Sequence, residues 1–189
     1  MSDTIDMARK LPLRYQQFSF EQITESASFD IVREYLGDLR GFIKKGVGLA
    51  LLGPNGCGKT GALAMVQQRL LAELPQWGAK DRMWCRARDI ALTYGYFKVD
   101  ITFDEDVDVL YNTARWLVVD ELGRETDIKN FDRRMHSLLS SRRDNMCVTC
   151  FTSNMDMTKI RDTYGEGFAS LLYETCIVAT VDGPDRRRS

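Results

Sequence analysis

The chain has 189 residues, 44% of them apolar and 28% charged, which suits one globular domain with a substantial core and is too short for two. Its formal charge of −1 excludes a strongly basic nucleic-acid wrapper, while Arg133-Arg134, Arg142-Arg143 and Arg186-Arg187-Arg188 leave room for a local basic surface. Its apolar runs are strand-length, so no segment is expected to span a membrane.

Residues 1–27 read as a polar N-terminal arm with one anchor, Leu11-Pro12-Leu13-Arg14-Tyr15 followed by Phe18-Ser19-Phe20. A core is expected over 28–182, and a basic tail over 183–189. From 29 to 45, Ile31, Val32, Tyr35, Leu36, Leu39, Phe42 and Ile43 recur at helical spacing, and Gly46 is a suitable stop. An apolar strand at 47–52 leads through a glycine-rich loop into a helix that runs to 74, where Pro75 and Gly78 end it. Residues 82–87 read as a second strand, 89–97 as a short helix, acidic 99–107 as a loop and 108–115 as a helix. A third strand at 116–120 ends in acids and is followed by a polar loop and a helix over 129–144. The fourth strand, 146–154, turns abruptly polar at its end. Short helices at 157–163 and 168–175 precede a fifth strand at 177–181. Strands alternating with helices predict an α/β fold, a mostly parallel five-stranded sheet flanked by helices. Ligands in such sheets bind beyond the carboxyl ends of the strands.

Other site chemistry finds little support. The N-terminus carries two acids and no apolar signal segment, so a cytoplasmic location and reduced thiols are expected for the five cysteines. Cys147 and Cys150 match C-x-x-C, but a spacing of three in a strand sends them to opposite faces, which favours packing over metal or redox work. His136 is the only histidine, which argues against a histidine-built zinc site or a Ser-His-Asp hydrolase.

The loop Gly53-Pro54-Asn55-Gly56-Cys57-Gly58-Lys59-Thr60 fits G-x-x-x-x-G-K-[ST], the phosphate-binding P-loop, and lies between a buried strand and a helix as that motif requires. Its glycines let successive N–H groups turn toward phosphate oxygens. Lys59 would reach the β- and γ-phosphates of ATP and Thr60 would ligate Mg²⁺. Trp116-Leu117-Val118-Val119-Asp120-Glu121 is a Walker B pattern. Asp120 would hold the hydration shell of Mg²⁺, and Glu121 would orient and deprotonate the attacking water. Asn154, closing the fourth strand, would hydrogen-bond the γ-phosphate or that water. Small-molecule kinases need no water-activating Glu, so the acid pair points to NTP hydrolysis and to an additional-strand, AAA+-type or RecA-type ATPase.

These motifs together resemble the DnaC/IstB-like branch of AAA+ ATPases, over roughly residues 11–187. The resemblance is carried by the Pro12-Leu13-Arg14-Tyr15 lead-in, by Walker A and by Asp120-Glu121-Leu122-Gly123. Ser140-Ser141-Arg142-Arg143, Thr152-Ser153-Asn154 at sensor 1 and Gly183-Pro184-Asp185-Arg186-Arg187 extend it. It implies an ATP-dependent homo-oligomer that assembles on single-stranded or duplex DNA and hands a replicative helicase or transposase to its site. It also implies Arg14 and Tyr15 near the adenine, although packing of the arm accounts for them equally. The family's arginine finger, in an S-R-L segment, corresponds here to Leu171 in Ala169-Ser170-Leu171-Leu172. Slow hydrolysis is therefore expected, or a substitute among Arg142, Arg161 and Arg186. The short arm and limited C-terminal room imply a bare ATPase core with its lid reduced or absent. Trp84 and Tyr94-Gly95-Tyr96-Phe97 could stack single-stranded bases, against a plainer role in the core. A nucleotide-gated scaffold with little hydrolysis and a P-loop small-molecule kinase remain the alternatives.

Overall fold

A computed structural model describes Tyr15 and residues 29–78, 80–95, 105–125 and 131–183. Its strands are β1 (Gly48–Leu52), β2 (Arg82–Arg86), β3 (Trp116–Leu122), β4 (Val148–Ser153) and β5 (Cys176–Thr180). They form one sheet in the order β2-β3-β4-β1-β5, with every neighbouring pair parallel. The helices are α1 (Asp30–Gly37), α2 (Leu39–Lys44), α3 (Lys59–Glu73) and α4 (Ala87–Gly95), followed by α5 (Glu105–Thr113), α6 (Phe131–Asp144), α7 (Met157–Tyr164) and α8 (Glu166–Thr175).

Strand periodicity divides the core in two. Leu49, Leu51, Trp116 and Val118 point to one face, where α1 and α3 cover them; Ala50, Leu52, Leu117 and Val119 point to the other, beneath α4, α6 and α8. The inner strands β1 and β4 are buried along their whole length, which is why they read as continuous apolar runs rather than alternating ones. On α3, Leu63, Val66 and Leu70 lie fully buried against the sheet. Each contributes on the order of 1.5–3 kcal/mol through burial.

The structure revises several boundaries. The single helix expected over 29–45 breaks at Asp38, whose carboxylate accepts from the Gly41 amide at 3.2 Å and caps α2. Residues 105–107, expected in a loop, begin α5. β3 continues past Asp120 to Leu122. Cys147 precedes β4, while Cys150 is buried within it.

Arg142 requires a larger correction. Proposed as a substitute finger, it is instead fully buried beneath the sheet's amino end. Its Nε donates to Thr149 Oγ1 at 2.8 Å, and its other two nitrogens donate to the Tyr111 and Val148 carbonyls at 2.6 and 2.7 Å. Burial pulls its pKa down to about 10. The guanidinium ties α6 to β4 and to the end of α5. Removing it leaves buried acceptors unsatisfied, a cost on the order of 3 kcal/mol. Arg142→Ala should therefore lower the melting temperature by roughly 6–12 °C in a thermal scan; a change under about 2 °C would contradict this assignment.

Candidate functional site

β1 ends where residues 53–58 turn the chain into α3. Gly53 sits at φ 143°, and a Cβ there would lie 2.1 Å from the Val181 carbonyl oxygen. Gly58, the residue before α3, is left-handed at φ 102°. Neither position accepts a side chain without moving backbone. The Gly53 amide donates to the Ser153 carbonyl at 3.1 Å, so β4 holds the entrance of the loop.

The position of β4 between β1 and β3 assembles the crevice. Lys59, only 6% exposed, extends its ammonium to the Gly53 and Pro54 carbonyls at 2.7 and 2.6 Å and to Asn154 Oδ1 at 3.1 Å. Thr60 donates to Asp120 Oδ1 at 3.0 Å, and Thr152 donates to the same oxygen at 2.5 Å. Cys57 is buried, its thiol on the Pro54 carbonyl at 3.1 Å. The P-loop, the Walker B acid and Asn154, well apart in sequence, thus meet at the carboxyl ends of three adjacent strands.

A bulge separates the two acids. Val119 aligns with Phe151 and Leu122 with Ser153, so Asp120 and Glu121 together face Thr152. Glu121 takes φ 62°, a conformation that costs a non-glycine residue about 1–3 kcal/mol. Its amide donates to Thr152 Oγ1 at 2.9 Å. The consequence is divergence: Asp120 turns inward, 3% exposed, while the Glu121 carboxylate stands at the mouth. There it meets Arg124 at 3.0 Å and Arg86 at 4.0 Å. Asn55 Oδ1 accepts from the other arm of Arg124 at 2.9 Å.

Burial raises the Asp120 pKa above the ordinary carboxylate value; the Thr152 and Thr60 hydroxyls oppose that shift, nearby Glu121 adds to it and Arg86 reduces it. A buried carboxylate beside a hydroxyl is a hard-oxygen pair suited to Mg²⁺, which binds through one or two carboxylates together with phosphates. Among the described residues, no cluster of three or more His, Cys, Asp or Glu forms a separate metal site.

Other candidate residues fall elsewhere. Leu171 is 4% exposed and packs in the core on the inner face of α8. An arginine there would point into the protein; the outward residues of that helix are Glu166, Gly167, Ser170, Tyr173 and Glu174. Trp84 is likewise buried, which fits the plainer core role and not an open stacking platform. Tyr96, Phe97, Arg14 and Arg186 lie outside the described residues. Arg161 is exposed on α7 and paired with Glu166 at 2.6 Å. Tyr15 is buried, and its carbonyl accepts from Gln68 at 3.0 Å, nine residues or about 13 Å along α3 from Lys59. Thr152, Arg124 and Arg86 were not assigned roles from sequence. Thr152 carried a usable signal, its place two residues before Asn154 on the strand beside the acids; the two arginines carried none.

Strand β4 standing between the P-loop strand and the acid-ended strand makes this an all-parallel, five-stranded α/β P-loop fold flanked by helices. No family model and no curated protein matches the chain by sequence. Solved structures do match in fold. A DnaC helicase loader superposes with TM-score 0.76 at 17% identity, over 90% of this chain and 99% of that one. DnaI gives 0.73 at 20% identity, over 94% of both chains. A replication initiator DnaA bound to AMPPCP and single-stranded DNA gives 0.69 at 14% identity, over 90% of this chain and 51% of the other. Among the described residues, no helix is long and apolar enough to cross a membrane.

The raised Asp120 pKa has a definite sign in stability. Burial disfavours the ionised form, so the contribution is fully present below the unfolded value near 3.9 and is lost as pH rises through the raised folded value. At pH 7 the charge is a net cost to the ligand-free protein. Asp120→Asn should raise the ligand-free melting temperature at pH 7 by a few degrees, with the gain shrinking toward pH 4. A lower melting temperature at pH 7 would contradict this.

Proposed function

We propose that this chain binds ATP with Mg²⁺, hydrolyses it, and self-assembles on DNA to load or regulate a DNA-acting partner such as a replicative helicase or transposase. The observation that carries the nucleotide half is the pair of contacts Lys59–Asn154 and Thr60–Asp120, at 3.1 and 3.0 Å. They join the P-loop to the ends of both β3 and β4.

Loop amides and the amino end of α3 supply partial positive charge for the phosphates. The Lys59 ammonium exchanges loop carbonyls for β- and γ-phosphate oxygens. Thr60 and Asp120 would hold Mg²⁺, which would offset charge developing on the transferred group. Glu121 accepts the proton of the attacking water, and Asn154 orients that water or the γ-phosphate. Water activation by Glu121 separates this reading from the kinase alternative, whose acceptor needs no such base.

The DNA and partner half rests on the fold likeness to a helicase loader, DnaI and a DNA-bound initiator. Burial of Leu171 removes the ground for tying slow hydrolysis to that position. Turnover with and without DNA separates the hydrolase from the nucleotide-gated scaffold.

Lys59→Ala should abolish nucleotide binding in calorimetry, whereas Glu121→Gln should bind normally and turn over at least about 100-fold more slowly. The wild type should form larger assemblies with ATP and single-stranded DNA in light scattering. Normal hydrolysis by Glu121→Gln would overturn the catalytic reading, and a chain that stays monomeric with both ligands would overturn the assembly reading.

A further inference from the structure

The turn after β3 is held unusually well for a surface loop. The Leu122 carbonyl accepts from Ser153 Oγ at 2.7 Å, and the Glu125 carboxylate accepts from the Gly123 amide at 3.0 and 3.2 Å. Gly123 is left-handed at φ 97°, and a Cβ there would lie 2.5 Å from the Met155 methyl. The Arg124 amide closes the turn on the Glu121 carbonyl at 3.2 Å. These contacts aim Arg124 back across the crevice, where one guanidinium nitrogen meets Glu121 Oε1 at 3.0 Å and another donates to Asn55 Oδ1 at 2.9 Å.

We propose that Arg124 is a positioning residue for hydrolysis: its guanidinium couples the P-loop tip at Asn55 to the aim of the Glu121 carboxylate. The proposal rests on the hydrolytic reading above. A half-exposed ion pair adds little to stability. Misplacing a catalytic group by about 1 Å, in contrast, costs on the order of 100-fold in rate. Arg124 therefore matters far more to turnover than to folding. Arginine's rigid fork engages two acceptors at a fixed separation, which a lysine ammonium on a flexible stem cannot reproduce. Movement of the P-loop tip on nucleotide entry would be passed through Arg124 to Glu121.

The test is steady-state ATP turnover of the full chain, with nucleotide affinity and melting temperature measured alongside. Arg124→Ala should lower kcat by about 10–100-fold with Kd and melting temperature nearly unchanged. Arg124→Lys should recover only part of the loss. Asn55→Ala should lower kcat in the same direction, and the double variant should be no slower than Arg124→Ala alone, as expected of residues acting in series. Should Arg124→Ala fail to fold, Arg124→Gln and Asn55→Ala carry the same readings. Wild-type or faster turnover by the Arg124 variants overturns the proposal, as does a loss confined to Kd, which would make Arg124 a phosphate contact only. If Glu121→Gln is inactive while Arg124→Ala turns over normally, the positioning role alone falls; if Glu121→Gln turns over normally, the hydrolytic reading falls with it.

Discussion

The Asp120 carboxylate is the point on which the crevice depends. One of its oxygens accepts hydroxyls from Thr60 on α3 and Thr152 on β4, while its backbone belongs to β3. Three elements are therefore referred to one buried acceptor, and each fixes where the others present their functional groups. Burial makes the charge expensive, and the two hydroxyls return only part of that cost. A cation at this position would complete the compensation. The site thus stores an electrostatic demand that Mg²⁺ is suited to meet.

Strand order and one bulge do the remaining work. With β4 inserted between β1 and β3, its polar end lies between Lys59 and Asp120, so Asn154 and Thr152 each reach a different neighbour. The bulge at Asp120 and Glu121 separates two consecutive acids that regular pleating would also have sent to opposite faces, but without the same aim. It leaves one carboxylate inside and one at the mouth, at the cost of a strained Glu121 backbone. Such strain at a bulge beside a phosphate loop marks a site whose geometry outweighs local comfort.

Much of this was legible in the sequence because the signals were local and physically forced. Apolar runs ending in Asp120-Glu121 and in Thr152-Ser153-Asn154 announced buried parallel strands with polar ends, and the P-loop glycines announced a turn that only glycine allows. The convergence of these motifs followed from the rule that parallel strands share a ligand-facing edge. Long-range side-chain geometry was not legible. Arg142 looked like a charged residue at a helix end, yet its neighbours across the sheet are carbonyls that only the fold supplies. Leu171 and Trp84 similarly look available until burial shows which way they point. Arg124 gave no sign, because its partners lie 3 and 69 residues away and only the Gly123 turn brings them within reach.

Likeness to a helicase loader and to a DnaA initiator concerns the fold alone, while the chemistry rests on the residues that line the crevice. The most direct test is a crystal structure of the chain with Mg²⁺ and AMPPCP. The account requires the metal beside Thr60 and Asp120, and Lys59 Nζ moved from the Gly53 and Pro54 carbonyls onto the terminal phosphates. A triphosphate bound away from the P-loop, or a metal away from Asp120, would contradict it.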